Sequence, residues 1–281
     1  MNKQRTNKEI PMAICYDFDG TLVPQEFAFI KELGMTDDYF WGLTEKVAQA
    51  QSVDPILAYM KCMIDCFREK GLSVTKEKLH EYGEGYRLFN GLDTWFDDIT
   101  DYAAQKGVSL KHYVISSGLK EIIEGTKFAS KLDGIFASHF MYDEQGNAQW
   151  PAVALNYTTK TQYLYRLNKN ALDITDNATI NRYIPPSERF LPFTNMIYIG
   201  DGETDIPCMK MIRVRGGHSI AVYDPKDAES AGKIAALVKD RRVHFTSAAD
   251  YSKDGAIAAY VRRVIDKIVA DTHLFDMEAI R

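Results

Sequence analysis

Short, wholly apolar runs alternate along this chain with longer stretches in which apolar residues recur every three or four positions. Residues 12–18, MAICYDF, stay apolar until they meet acid. That pattern predicts a strand buried on both faces, delivering Asp17 and Asp19 at its carboxyl end. From 25 to 100 the period changes. EFAFIKELG, DDYFWGLTEKVAQAQ, DPILAYMKCMIDCFREKG and VTKEKLHEYGEGYRLF read as helices, with Gly34, Gly71 and Gly91 as stops. Asp54-Pro55 is a helix start, Asp at the N-cap and Pro at the first helical position. Residues 92–106 predict another helix, and 108–118 a strand ending in Ser116, Ser117 and Gly118. A helix over 119–130 follows, then a strand pair over 134–150 around a turn at Glu144–Asn147. Thr158 and Thr159 open a helix that runs to about residue 170.

Residues 170–192 are polar, contain Pro185, Pro186 and Pro192, and read as a surface excursion with little regular structure. NMIYIGDGETD then repeats the opening theme, an apolar run ending in carboxylates, followed by the helix DIPCMKMIRV. A strand at SIAVYDP, a helix over 226–240, a late strand within RRVHFTSAADYS and an amphipathic helix over 255–275 complete the chain. The alternation of strand and helix outside 25–100 implies an α/β fold, a parallel sheet with helices on both faces. The expected organisation is a core of residues 1–24 and 101–281, interrupted by a helical insertion over 25–100. Ligands of such sheets bind beyond the carboxyl ends of the strands. Three ends here carry reactive side chains: Asp17 and Asp19, Ser116 and Ser117, Asp201 and Asp205.

Composition narrows the classes. With 281 residues the chain can bury a sizeable core without staples. Hydrophobic residues at 46% and charged residues at 26% exclude a disordered or collagen-like chain. A net charge of −5 offers no footprint for nucleic acid or an anionic membrane. No run approaches the ~20 apolar residues of a membrane helix. The amino-terminal stretch has no apolar segment of signal-peptide length, so a cytoplasmic protein is expected. Cys15, Cys62, Cys66 and Cys208 match no zinc spacing and read as free thiols in a reducing compartment.

Asp17 and Asp19 face the same way along an extended chain. Two carboxylates so close repel when both are ionised, and a hard cation such as Mg²⁺ resolves the conflict. An EF-hand reading fails, since its twelfth position would be Ala28 rather than Glu. Asp201 and Asp205 could complete a metal shell, while Glu203 reads as a surface residue. Ser116 and Ser117 could bind an anion at a helix start, or simply cap that helix. Lys160 could point into the same crevice or be solvated; Lys169 and Lys127 are the other candidates for a phosphate-binding lysine.

In this order the motifs resemble those of the haloacid dehalogenase-like hydrolase superfamily. MAICYDFDGT resembles its first motif, HYVIS its second, and MIYIGDGETD its fourth, with Lys160 as the lysine of the third. The resemblance spans roughly residues 12–210 and implies a Rossmann-like core, with the helical insertion as a cap over the substrate. It further implies that Asp17 is the nucleophile, forming an aspartyl-phosphate, and that Asp19 is the general acid and base. Mg²⁺ would be held by Asp17, Asp19 (through its backbone carbonyl), Asp201 and Asp205. Ser116 and Lys160, with backbone N–H groups of Gly20 and Ser117, would bind the phosphoryl oxygens.

Within the superfamily the chain is most similar to the phosphoserine phosphatase branch. There a glutamate seven residues after the second aspartate contacts the substrate amine, and Glu26 stands at that spacing. Gly20 replaces the usual serine, and Ser116-Ser117-Gly118 replaces Ser-Gly-Gly. Arg68, Arg87 and Tyr86 are further candidates for substrate contact. The resemblance implies a phosphatase of a small phosphorylated metabolite. A phosphotransferase or mutase, or a non-catalytic binding protein on the same fold, remains open at this point, as do substrate and oligomeric state.

Overall fold

The computed structural model describes residues 9–278, apart from the side chains of Glu203 and of residues 228–230, 233, 235 and 236. Its centre is a seven-stranded sheet in the order β4-β3-β2-β1-β5-β6-β7. The strands are β1 (Ile10–Tyr16), β2 (Val108–Leu119), β3 (Gly134–Tyr142), β4 (Ala148–Val153), β5 (Met196–Gly200), β6 (His218–Tyr223) and β7 (Phe245–Ala248). All neighbours pair in parallel except β3 and β4, the hairpin at one edge.

The pattern over 25–100 resolves into two kinds of helix. α1 (Ala28–Glu32), α2 (Asp37–Gln51), α3 (Pro55–Glu69) and α4 (Lys76–Glu84) form a helical group after β1. α5 (Leu92–Gln105) instead packs on the sheet: the Trp95 indole N–H donates to the Tyr16 hydroxyl of β1 at 2.8 Å. It is the crossover that a parallel β1–β2 pair requires. Side-chain caps start the outer helices where the sequence places them. Thr36 caps α2, Asp54 accepts from the N–H groups of Ile56 and Leu57 at the start of α3, and Thr75 caps α4. The other oxygen of Asp54 accepts from the Asn156 amide at 2.6 Å, tying α3 to the core.

The helix expected over 119–130 is shorter. α6 spans Lys120–Glu124, and a 3-10 turn follows at Ala129–Lys131. The helix stops because α4 crosses it there: the His80 carbonyl occupies the space that a Cβ on Gly125 would need. α7 (Lys160–Lys169) follows β4. The excursion at 170–192 holds only α8 (Asn177–Asn181) and short 3-10 turns. The buried Arg166 guanidinium pins it by donating to the carbonyls of Ala171, Asp173 and Ile174. α9 (Ile206–Val214), α10 (Ala228–Lys239) and α11 (Ala256–Glu278) complete the layers. Among the described residues no helix is long and apolar enough to cross a membrane. All four cysteines are free and buried.

The two-residue period of β1 separates two cores. Met12, Ile14 and Tyr16 pack on the face covered by α5 and α11. Ala13 and Cys15 pack on the opposite face with Tyr163 and Leu164 of α7 and Cys208 and Met209 of α9. Asp17 continues the second set, which sends its carboxylate toward the start of α7.

Beneath the end of β1 lies a buried polar chain. Tyr16 accepts from Trp95 and lies 2.9 Å from Nδ1 of His112, to which its own proton is free to go. Nδ1 is then an acceptor, and Nε2–H donates to the Thr100 hydroxyl at 2.9 Å. A second proton on His112 would face the Tyr16 O–H. Burial lowers the His112 pKa from 6.5 to about 4. The unfolded chain therefore binds the extra proton between those values, and this residue's contribution to stability falls as the pH drops from 6.5 to 4. The expected loss is about 3 kcal/mol. Denaturant unfolding of wild type and His112→Gln at both ends of the window isolates it, because the other titrating groups cancel in the difference. An unchanged difference between the two proteins contradicts the assignment.

Candidate functional site

Four segments meet at the carboxyl edge of the sheet: the turn after β1, the end of β2, the turn after β5 and the first residue of α7. The chain turns sharply after Asp17, held by hydrogen bonds from Thr21 and Leu22 to the Phe18 carbonyl. Phe18 is buried at the base of the turn, and Tyr251 donates to the Thr21 carbonyl at 2.8 Å. This fixes Asp17 and Asp19 on either side of a buried anchor.

Lys160 is fully buried at the first position of α7. Its ammonium lies 2.9 Å from Asp17 Oδ1 and donates a hydrogen bond to Asp205 Oδ1 at 2.8 Å. Tyr198 of β5 donates to the same Asp205 oxygen at 2.7 Å. Burial works against the lysine's charge, but the adjacent carboxylates, Asp17 foremost, outweigh it and raise its pKa. Lys160 is thus a fixed cation between two acids. Neither alternative lysine is placed there. Lys169 donates to the carbonyls of Ile180 and Arg182, and Lys127 is exposed.

Asp17, Asp201 and Asp205 each place one carboxylate oxygen within 4.8 Å of the others. One cation cannot balance this cluster. Burial, then the Asp205 charge, raises the Asp17 pKa to about 6. Burial, then Asp17, raises Asp19 to about 7. Asp201 is raised as well, by burial and then Asp17. The buried Asp205 Oδ2 has no hydrogen-bond partner. An excess of charge, an orphaned oxygen and an all-oxygen donor set fit a divalent hard cation. Gln25 approaches from outside, donating to Asp201 Oδ2 at 3.3 Å.

Gly20 sits differently from the expectation that its N–H helps bind phosphate. That N–H donates to the Val23 carbonyl at 2.7 Å within the turn. The residue's φ is 72°, and a Cβ there would collide with the Asp201 carboxylate. Its structural role is therefore to make room for a candidate metal ligand.

Ser116 is 1% exposed, and its hydroxyl oxygen accepts from the Gly118 N–H at 3.0 Å. Its own proton is left to donate elsewhere. Ser117 lies beside it within β2, which runs on to Leu119 instead of ending at the serines; its hydroxyl is buried without a partner. The Ser117 carbonyl accepts from Tyr59 of α3 and from Ser138, both at 3.0 Å. A Cβ on Gly118 would lie 2.9 Å from Asp19 Oδ2 and 3.3 Å from Ser116 Oγ. Glycine there lets the end of β2 approach Asp19.

Glu26 is half-exposed and pairs with Arg87 at 3.4 Å. It borders a polar crevice that reaches Gly20 and Asp201 but not Asp19. Arg68 is exposed and pairs with Asp65. Tyr86 does come near Asp19, and its hydroxyl donates to the Glu26 carbonyl at 2.6 Å. Glu203 lies outside the described side chains.

Tyr198 and Tyr59 belong to the site without having been singled out in the sequence. A signal existed for Tyr198: a phenol in an otherwise aliphatic buried strand needs a partner for its hydroxyl.

No family model matches the chain. A curated protein of Borreliella burgdorferi, called an uncharacterized protein, is 24% identical over 275 residues, 88% of this chain and 93% of that one. Among solved structures, a HAD family hydrolase from Salmonella enterica serovar Typhi superposes with a TM-score of 0.57 at 19% identity, over 88% of this chain and 73% of that one. A phosphoserine phosphatase in a substrate-bound complex gives a TM-score of 0.52 at 15% identity, over 84% of this chain and 92% of that one. The fold is that of the haloacid dehalogenase-like hydrolases. In that fold the clustered acids of this chain stand at the carboxyl edge of a parallel sheet, the general ligand position of open α/β sheets.

Proposed function

We propose that the chain is a Mg²⁺-dependent phosphomonoesterase acting on a small phosphorylated metabolite. One observation carries the reading. Asp17 is locked to a buried lysine beside two further carboxylates, while Asp19, on the same turn, borders a separate cavity. One acid is thereby held as a nucleophile, and the other is placed to move protons.

In this reading an Asp17 oxygen forms a bond to phosphorus as the bond from phosphorus to the alcohol oxygen breaks. Asp19 gives its proton to the departing oxygen. Water then forms a bond to phosphorus, the aspartyl bond breaks, and Asp19 takes the proton from that water. Burial and the Asp17 charge favour the protonated form of Asp19, the form the first half-reaction needs. Lys160 and the free proton of Ser116 hold phosphoryl oxygens and offset their charge. Mg²⁺, when bound by Asp17, Asp201, Asp205 and the Asp19 backbone carbonyl, neutralises charge on the transferring group. Helices α1–α4 act as the cap over the centre, with α5 belonging to the core. The proposal rests on Asp17 and Asp19, and recognition of a substrate amine by Glu26 forms no part of it.

The test is phosphate release from phosphorylated metabolites with Mg²⁺ and with excess EDTA. Release is expected with Mg²⁺, falling at least ~100-fold on chelation. Release insensitive to chelation contradicts the metal assignment. Phosphoryl exchange between sugars without free phosphate replaces hydrolysis by transfer.

A further inference from the structure

Asp19 and the end of β2 form one wall of a partly open cavity of about 170 Å³ beneath the cap helices. The acid that protonates a leaving oxygen must touch the leaving group, so the alcohol portion of the substrate has to occupy this chamber. Its other walls are rings. Phe27 and Trp41 meet edge-on at 4.9 Å between centroids, and Trp41 meets Tyr59 at 5.7 Å. Phe18 and Tyr86 close the opposite side at 5.5 Å, and Ile56 adds an aliphatic surface.

Neither phenol proton is free for the ligand, because Tyr59 donates to the Ser117 carbonyl and Tyr86 to the Glu26 carbonyl. No Lys, Arg or His is among the described residues lining the chamber. A substrate carboxylate would therefore meet no cation there, and the unpartnered Ser117 hydroxyl alone would not repay its desolvation. The single acid present, Asp19, is committed to proton transfer. An apolar cavity of comparable size, about 150 Å³, holds a benzene molecule.

Resting on the phosphatase reading above, we propose that the chamber selects phosphate monoesters of alcohols with an uncharged, compact apolar body about the size of one aromatic ring. The surplus of apolar contact should appear as a preference of ~100-fold over an ester that leaves the chamber empty.

Four simple esters test this: benzyl phosphate, ethyl phosphate, O-phosphoserine and phosphocholine, each assayed for kcat/KM with Mg²⁺. Acetyl phosphate, whose small activated leaving group does not depend on the chamber, reports on hydrolysis alone. Benzyl phosphate is expected to exceed ethyl phosphate ~100-fold, with phosphoserine and phosphocholine no better than ethyl phosphate. Trp41→Ala should lower the benzyl-to-ethyl ratio at least tenfold. Inhibition of wild type by benzylphosphonate but not ethylphosphonate makes the same point without a variant. Acetyl phosphate turnover with a benzyl-to-ethyl ratio near one, or with phosphoserine or phosphocholine preferred, overturns the chamber assignment and leaves the phosphatase reading standing. Failure of every ester, acetyl phosphate included, overturns both.

Discussion

Lys160→Met is expected to destabilise the metal-free protein by about 3–5 kcal/mol at neutral pH, because it strands Asp17 and Asp205 as buried carboxylates with no cation between them. Both now contact the lysine ammonium within 2.9 Å. Tyr198 still donates to Asp205, which softens the loss on one side only. The pH dependence has a definite sign. The Asp17 pKa is already raised by burial and the Asp205 charge, and without the lysine it rises further above its unfolded value. The folded protein then binds more protons, and stability falls as the pH rises through that window. The deficit should shrink toward about pH 4 and be widest above neutrality. Mg²⁺ should recover part of it by binding the folded state. Denaturant unfolding with EDTA, and again with Mg²⁺, reads all three effects. A loss under about 1 kcal/mol above neutrality in EDTA would mean that the lysine is not what balances the cluster.

Asp17→Asn is expected to abolish turnover, by on the order of 10⁴-fold or more, while leaving the fold intact. The amide has nearly the same shape but cannot attack phosphorus. Losing this carboxylate also relieves a crowded site, since burial and Asp205 already push the Asp17 pKa up to about 6. The metal-free variant should therefore melt no lower than wild type above neutral pH. Single-turnover kinetics and thermal unfolding check the two halves separately. A variant that is inactive but well folded places the loss in the chemistry. Residual activity within tenfold of wild type removes Asp17 from the nucleophile's position.

The sheet was legible because its strands are short apolar runs bounded by acids, serines or glycines. The parity of β1 also indicated where Asp17 would point, since Cys15 and Asp17 share a face. The Asp54 cap fixed the start of α3, whereas the helix read through Phe89 ends at Glu84. Other features depend on tertiary contacts that no local pattern encodes. α6 ends early because α4 crosses it at Gly125. Gly20 resembles a phosphate-loop glycine in sequence, yet its N–H closes its own turn and its missing side chain makes room for Asp201. Glu26 stands at a suggestive spacing, and its carboxylate pairs with Arg87 beside the crevice that reaches Asp201. The apolar chamber is the clearest such case. Phe27, Trp41, Ile56 and Tyr59 come from a turn and two helices and read as ordinary packing residues, while Tyr86, a candidate for substrate contact, comes from a further turn. Only the docking of the cap brings them together over Asp19.

The account's central claim is that Asp17 carries the phosphoryl group during turnover. The most direct test is intact-protein and peptide mass spectrometry after rapid acid quench with a turned-over substrate and Mg²⁺. The account predicts one added phosphoryl group, located on Asp17, present in wild type and missing from Asp17→Asn. Phosphate release by wild type with no phosphorylated protein, or with the group on another residue, contradicts it.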